Sequence, residues 1–141
     1  MTSVTLELDN RTRLLETLTG DAWMVACLCA AWCDVCRQYR AGFDAFAARH
    51  PDKHFVWIDI EDQADVVGDL DVENFPCLLI QRGDTVAFFG TVLPDWRQAN
   101  RLLEAQVEKS EVELKAEATG SKERMTWQEN CNLRDRIRQA L

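Results

Sequence analysis

The pattern of apolar and polar positions divides the chain into short segments of two periodicities. Val4 to Leu8 alternates apolar and polar residues, which predicts a strand. Asp9 or Asn10 can then cap a short helix running to about Leu18, ended by Gly20. Trp23 to Ala30 is apolar on both faces and predicts a strand buried within a sheet. From Cys33 the period becomes helical, with Cys36, Tyr39, Phe43, Phe46 and Ala47 on one face, and His50-Pro51 stops it. Phe55 to Ile60 reads as the next buried strand, and a short acidic helix is expected between Asp62 and Leu70. Cys77 to Gln81 and Thr85 to Phe89 predict a hairpin around the turn Arg82-Gly83-Asp84. Pro94 opens a further helix with Trp96, Ala99, Leu103 and Val107 on one face. The predicted order is β-α-β-α-β-α-β-β-α. It implies an α/β fold with a mixed central sheet flanked by helices, parallel in its first part and closed by an antiparallel hairpin.

Beyond about Lys109 the pattern weakens. Thr126-x-x-Glu129 has the form of a capping box, and Trp127, Cys131, Leu133 and Ile137 give a final helix a modest apolar side. The expected division is a domain over residues 1–108 and a helical C-terminal extension over 109–141. All predicted strands precede residue 108. The part after about Gly120 is therefore expected to be dispensable for folding of the core, with docking on its own domain as its default placement.

Composition narrows the possible functions. The 141 residues are 47% hydrophobic and 28% charged, the balance of an ordinary globular domain and not of a disordered chain. With 16 basic against 24 acidic residues the net charge is −8, which argues against nucleic acid or an anionic membrane surface as partner. The apolar run over residues 22–32 falls well short of the ~20 residues that span a bilayer. Met24-Val25-Ala26-Cys27 loosely resembles a lipoprotein cleavage site, but Glu7, Asp9, Glu16 and Asp21 precede it where a basic start and an apolar run are needed. A cytoplasmic location is expected, with the six cysteines mostly reduced. Residues 59–73 hold seven acids and no base: either an acidic margin that selects basic partners or a solvated face.

The stretch that carries chemistry is Ala31-Trp32-Cys33-Asp34-Val35-Cys36-Arg37, where a buried strand gives way to a helix. Cysteines at i and i+3 on a first helical turn can close a small disulfide ring. Unpaired backbone N–H groups and the positive end of the helix dipole favour a thiolate on the first of them. A thiolate at neutral pH is what disulfide exchange requires, and the second thiol can attack a mixed disulfide from within.

Here the chain resembles the thioredoxin family, over roughly residues 3–108. The resemblance rests on Trp32-Cys33-x-x-Cys36, on Asn74-Phe75-Pro76 about 40 residues later and followed by a strand, on the Gly83 turn, and on Gly90 before the last helix. It implies a thioredoxin-like fold with a cis proline peptide at Pro76 packed against the redox pair. It also implies that the backbone of Phe75 contacts the substrate chain, with Trp32 and Pro76 framing it.

Departures from the family pattern bear on tuning. Asp34-Val35 stands where thioredoxins have Gly-Pro; the Asp34 carboxylate opposes a thiolate on Cys33, and no His lies between the cysteines to assist it. Both features favour a reductant over an oxidant. Cys27 occupies the place of the family's buried Asp, and the Lys that accompanies it in many members falls near Trp57. Proton transfer at Cys36 then needs water or Asp59. Cys27, Cys29 and Cys77 either form a thiol cluster around the pair or are small buried hydrophobes; Cys131 is left over.

The reading is a thiol–disulfide oxidoreductase that reduces protein disulfides: Cys33 attacks, Cys36 resolves, and a reductase supplies electrons. The carrier is the Cys33–Cys36 disulfide, so no bound cofactor and no metal are expected, and the oligomeric state is left open. Two rivals stand. One is a binding or assembly module on the same fold with weak turnover. The other is a soft-metal or iron–sulfur carrier using Cys33 and Cys36 with Cys27, Cys29 or Cys77.

Overall fold

The computed structural model describes residues 3–70, 72 and 74–141. Its sheet contains β1 (Val4–Thr5), β2 (Trp23–Cys29), β3 (His54–Asp59), β4 (Cys77–Arg82) and β5 (Thr85–Thr91), in the order β1-β3-β2-β4-β5. β1, β3 and β2 run parallel, whereas β4 and β5 are antiparallel to their neighbours. The helices are α1 (Arg11–Thr17), α2 (Asp34–Ala48), α3 (Ala64–Val67), α4 (Trp96–Val107), α5 (Glu111–Ala118), α6 (Lys122–Asn130) and α7 (Leu133–Gln139). The mixed sheet with its closing hairpin is the architecture expected from the sequence.

Local differences have local causes. The first strand is shorter than its alternation predicts, because a 3-10 turn, Leu8–Asn10, takes over; there the Asn10 side chain accepts from the Glu7 N–H. α3 has four residues and lies within the expected span Asp62 to Leu70; Asp71 and Glu73 of the acidic stretch 59–73 lie outside the described residues. α4 starts after Pro94, because the Asp95 side chain caps it by accepting from the Arg97 N–H. On its buried face Gln106 replaces Val107, which is exposed.

β2 sits mid-sheet, so its alternate residues feed two cores. One face holds Val25, Cys27 and Cys29 with Cys36, Tyr39, Phe43 and Phe46 of α2. Phe43 and Phe46 are wholly buried and meet Phe55 with ring centres 5.6 and 4.8 Å apart. This seals α2 to the sheet and fixes where its first turn begins. The other face holds Met24, Ala26 and Leu28 with Leu14 and Leu18.

That second core is closed by the C-terminal extension. Trp127, Cys131, Leu133 and Ile137 all belong to it, and the last two are wholly buried. The Gln128 side-chain amide donates to the Val86 carbonyl and accepts from the Val86 N–H, both at 2.8 Å, and so covers the edge of β5. Gln81, buried in β4, donates to Asn132 Oδ1 at 2.7 Å and accepts from the Leu133 N–H at 3.0 Å. This packing speaks against the expectation that the chain beyond Gly120 is dispensable for folding: its side chains complete the core beneath the sheet. The Thr126 capping box is corrected. Thr126 lies inside α6 and donates to the Lys122 carbonyl, while Ser110, Ser121 and Asn132 cap the three helices.

Arg136 adds an ionic clasp from α7. Its Nη1 lies 2.5 Å from Asp69 Oδ1 and donates to the Val66 carbonyl at 3.0 Å, and the guanidinium holds the Asp69 carboxyl below the usual range. A carboxyl lowered in the folded state stabilises that state above its unfolded value, near ~3.9, and the contribution is lost as pH falls through the lowered folded value. Asp69→Asn is therefore expected to lower the melting temperature slightly at neutral pH, with the gap to the unaltered protein closing below about pH 4. Melting curves across pH check this, and a gap that widens on acidification would contradict it.

Candidate functional site

β2 ends at Cys29 and α2 begins at Asp34, so the intervening loop delivers the motif at the sheet's C-terminal edge. Two contacts shape that loop: the Cys33 N–H donates to the Ala30 carbonyl at 3.0 Å, and the Asp59 carboxylate accepts from the Ala31 N–H at 3.0 Å. Asp59 also accepts from the Glu61 and Asp62 N–H groups, at 2.8 and 3.1 Å. Its carboxylate thus ties the end of β3 to the approach to Cys33. It shares with Cys36, Arg37, Arg40 and Trp57 the lining of a cavity of about 330 Å³.

Cys33 is the N-cap residue of α2 and carries a free, half-buried thiol. Cys36, in the first turn, is 1% exposed. The first cysteine therefore faces outward beside free helix N–H groups and the second faces inward, a consequence of the helical spacing. Asp34 is ion-paired with Arg37, which also donates to the Ala31 carbonyl at 2.5 Å. The pair sets a cation beside the Asp34 carboxylate, within the limits of a solvent-screened surface pair.

Trp32 is 63% exposed; its indole N–H donates to Glu61 and its ring meets Phe75 edge-on, with centres 5.7 Å apart. Phe75 in turn packs against the cluster that holds Cys33 and Cys36. The Phe75–Pro76 peptide is cis. β2 and β4 pair Cys27 with Leu78 and Leu28 with Cys77, so continuing the register by one places Pro76 opposite Cys29. Trp32, Cys33, Cys36, Phe75 and Pro76 therefore gather at one end of the sheet.

The expected pairing of Cys36 with Cys33 is not the one observed. The structure joins Cys36 to Cys29, with Cα atoms 5.7 Å apart, and leaves Cys27, Cys33, Cys77 and Cys131 free. The physical reason is the geometry of the strand-to-helix corner. Cys29 ends β2 directly beneath the first turn of α2, within the Cα separation a disulfide needs. Cys36 thus lies between two prospective partners.

The remaining thiols divide by strand parity. Cys27 shares the face of Cys29, with sulfurs 3.7 Å apart, and burial pushes its thiol far up. Cys77 points into the opposite core, where burial raises it to about 12, and Cys131 beside it is raised to about 11. Those two behave as buried hydrophobes. Among the described residues no group of three or more His, Cys, Asp or Glu is arranged to hold a metal ion. No helix among them is long and apolar enough to cross a membrane.

One residue escaped the sequence reading. Arg40 stacks on Trp57, 4.8 Å from its ring centre, and its charge acts on Cys27 against the upward push of burial. The available signal was its position one helical turn after Cys36.

Comparisons with known proteins bear on the family and on the fold. A family model described as Thioredoxin matches residues 7–117. Thioredoxin-2 of Saccharomyces cerevisiae is 28% identical over 65 residues, which cover 46% of this chain and 62% of that protein. A thioredoxin of Ophiophagus hannah is 32% identical over 57 residues, covering 40% of this chain and 54% of that protein. The chain thus aligns with little more than half the length of these relatives. A chain in the solved complex of ferredoxin:thioredoxin reductase with thioredoxin f2 has a TM-score of 0.64 at 16% identity, covering 76% of this chain and 96% of its own. At that identity the likeness concerns the fold.

Proposed function

This chain belongs to the thioredoxin family, and on that premise we propose that it reduces protein disulfides, with Cys33 as the attacking thiol and Cys36 as the resolving one. The Cys33 thiolate attacks one sulfur of a client disulfide; the other client sulfur leaves as a thiolate and takes a proton. The Cys36 thiolate then attacks Cys33 Sγ and expels the second client sulfur. Two electrons have passed to the client, and the protein holds a Cys33–Cys36 disulfide. Trp32, Pro76 and the Phe75 backbone receive the client chain, and Asp59 holds the loop that presents Cys33.

The observation that carries this reading is the asymmetry of the two thiols. Cys33 is free and half-exposed at a helix N-terminus, while Cys36 is buried one turn in. Only the first can meet a macromolecular disulfide. We propose a cytoplasmic location, where electrons would return from a reductase; the cysteines themselves are the carrier, so no bound cofactor or metal enters the cycle. The structural neighbour solved with a thioredoxin reductase supports that type of partner.

A catalysed reduction assay tests the reading, with a generic protein disulfide as client and dithiothreitol as electron source. The protein is expected to speed client reduction well above the rate with dithiothreitol alone. No acceleration at equimolar protein would overturn it.

A further inference from the structure

We propose that Cys29 is a second partner for Cys36, so that the disulfide formed at Cys33–Cys36 during client reduction migrates inward to Cys29–Cys36 and frees Cys33. The inference rests on the cycle proposed above and extends it by one step.

The topology brings four sulfurs to one face of the sheet. Cys27 and Cys29 project to the same side of β2 by strand parity, Cys36 faces them from α2, and Cys33 packs against the same cluster. Cys36 is bonded to Cys29 and stands three residues from Cys33 on the first helical turn, so one sulfur is within reach of two.

The migration is a thiol–disulfide exchange within the chain. The Cys29 thiolate attacks Cys36 Sγ, the Cys33–Cys36 bond breaks, the Cys29–Cys36 bond forms, and Cys33 leaves as a thiolate. The proton released from Cys29 is balanced by the one Cys33 takes up, and no electrons enter or leave. Cys27 has a part in this step. Burial keeps its thiol protonated, and at 3.7 Å its S–H can donate to the Cys29 sulfur as that sulfur becomes a thiolate.

The two disulfides differ in access. Cys29 and Cys36 are each 1% exposed, so an external thiol cannot attack the inner bond, whereas the outer bond includes half-exposed Cys33. Migration therefore removes the disulfide from the surface, out of reach of the released client thiols. Recovery runs the exchange backward: Cys33 attacks Cys36 Sγ, restores the outer disulfide, and a dithiol reductant reduces it.

Refolding of reduced, denatured Cys33→Ser in a glutathione redox buffer, in which the thiols are accessible before the core closes, tests the pairing. After denaturation and alkylation, the proposal expects a monomer with Cys29 linked to Cys36 and label on Cys27, Cys77 and Cys131. Label on Cys29 and Cys36 as well, or linkage only between chains, would overturn it. The unaltered protein gives the second measurement, after oxidation by a client disulfide whose reduction is scored in the same sample. No Lys or Arg lies between Arg13 and Arg37. Cleavage after Trp32 and before Asp34 is therefore used to separate the cysteines. Label on Cys33, with Cys29 protected, supports migration. Client reduced with label on Cys29 and none on Cys33 overturns the migration and leaves the reductase reading standing. Client not reduced overturns both.

Discussion

Replacing Cys33 by Ser is expected to bring client reduction down to the uncatalysed rate, whereas Cys36→Ser should accumulate covalent complexes with clients. The difference follows from placement. Cys33 is half-exposed at the head of α2, next to the exposed Trp32, and is the one redox-cluster sulfur a protein client can reach. Cys27, Cys29 and Cys36 lie sealed beneath it, so none of them can replace it as attacking group. In Cys36→Ser the first attack still proceeds, but the sulfur that would expel the client is gone, and Cys29 is placed to bond Cys36, not Cys33. The mixed disulfide should persist until dithiothreitol releases it. A module that binds clients without exchange predicts equal, low adduct levels in both variants. A non-reducing gel of the two variants, recovered from cells with thiols blocked, distinguishes these outcomes.

Cutting the chain after Ala118 is expected to abolish cooperative unfolding. The cut removes Trp127, Leu133 and Ile137 from the core under the sheet and strips the cover from Leu14, Leu18 and Met24. Burying a large apolar side chain contributes roughly 1.5–3 kcal/mol, so three of them make up a large part of the ~5–15 kcal/mol that holds a domain folded. The cut also leaves Gln81 without its partners on Asn132 and Leu133 and the edge of β5 without Gln128. The milder Leu133→Ala should keep the fold at a cost of about 2–5 kcal/mol and a fall in melting temperature on the order of 10 °C. A truncated protein that melts cooperatively near the parent temperature would mean the extension is an accessory.

The elements that packing decides locally were legible. The unbroken apolar run of Trp23–Cys29 marked the central strand, and the spacing of Cys36, Tyr39, Phe43 and Phe46 marked the buried face of α2. Trp32-Cys33-x-x-Cys36 and the distant Phe75-Pro76 identified residues that the fold does bring to one end of the sheet. What stayed hidden depends on distances across the fold. Parity put Cys27 and Cys29 on one face, but only the crossing of α2 over β2 reveals that Cys29 reaches Cys36. The extension was underrated for a similar reason. Leu133 and Ile137 are few and widely spaced, and their weight comes from the hole they fill between α1 and the sheet. Gln81, a buried polar residue following the apolar run Cys77–Ile80 of β4, was the unused sign that something polar, here Asn132, had to cover it.

The assignment of Cys33 as the attacking sulfur is tested most directly by finding which cysteine carries the client in Cys36→Ser. The trapped adducts would be isolated under denaturing, acid-quenched conditions, and the attachment site mapped by mass spectrometry after cleavage after Trp32 and before Asp34. The account predicts client on Cys33, with Cys27, Cys29, Cys77 and Cys131 unmodified. Client attached at any of those four, or no adduct in the presence of client disulfide, would contradict it.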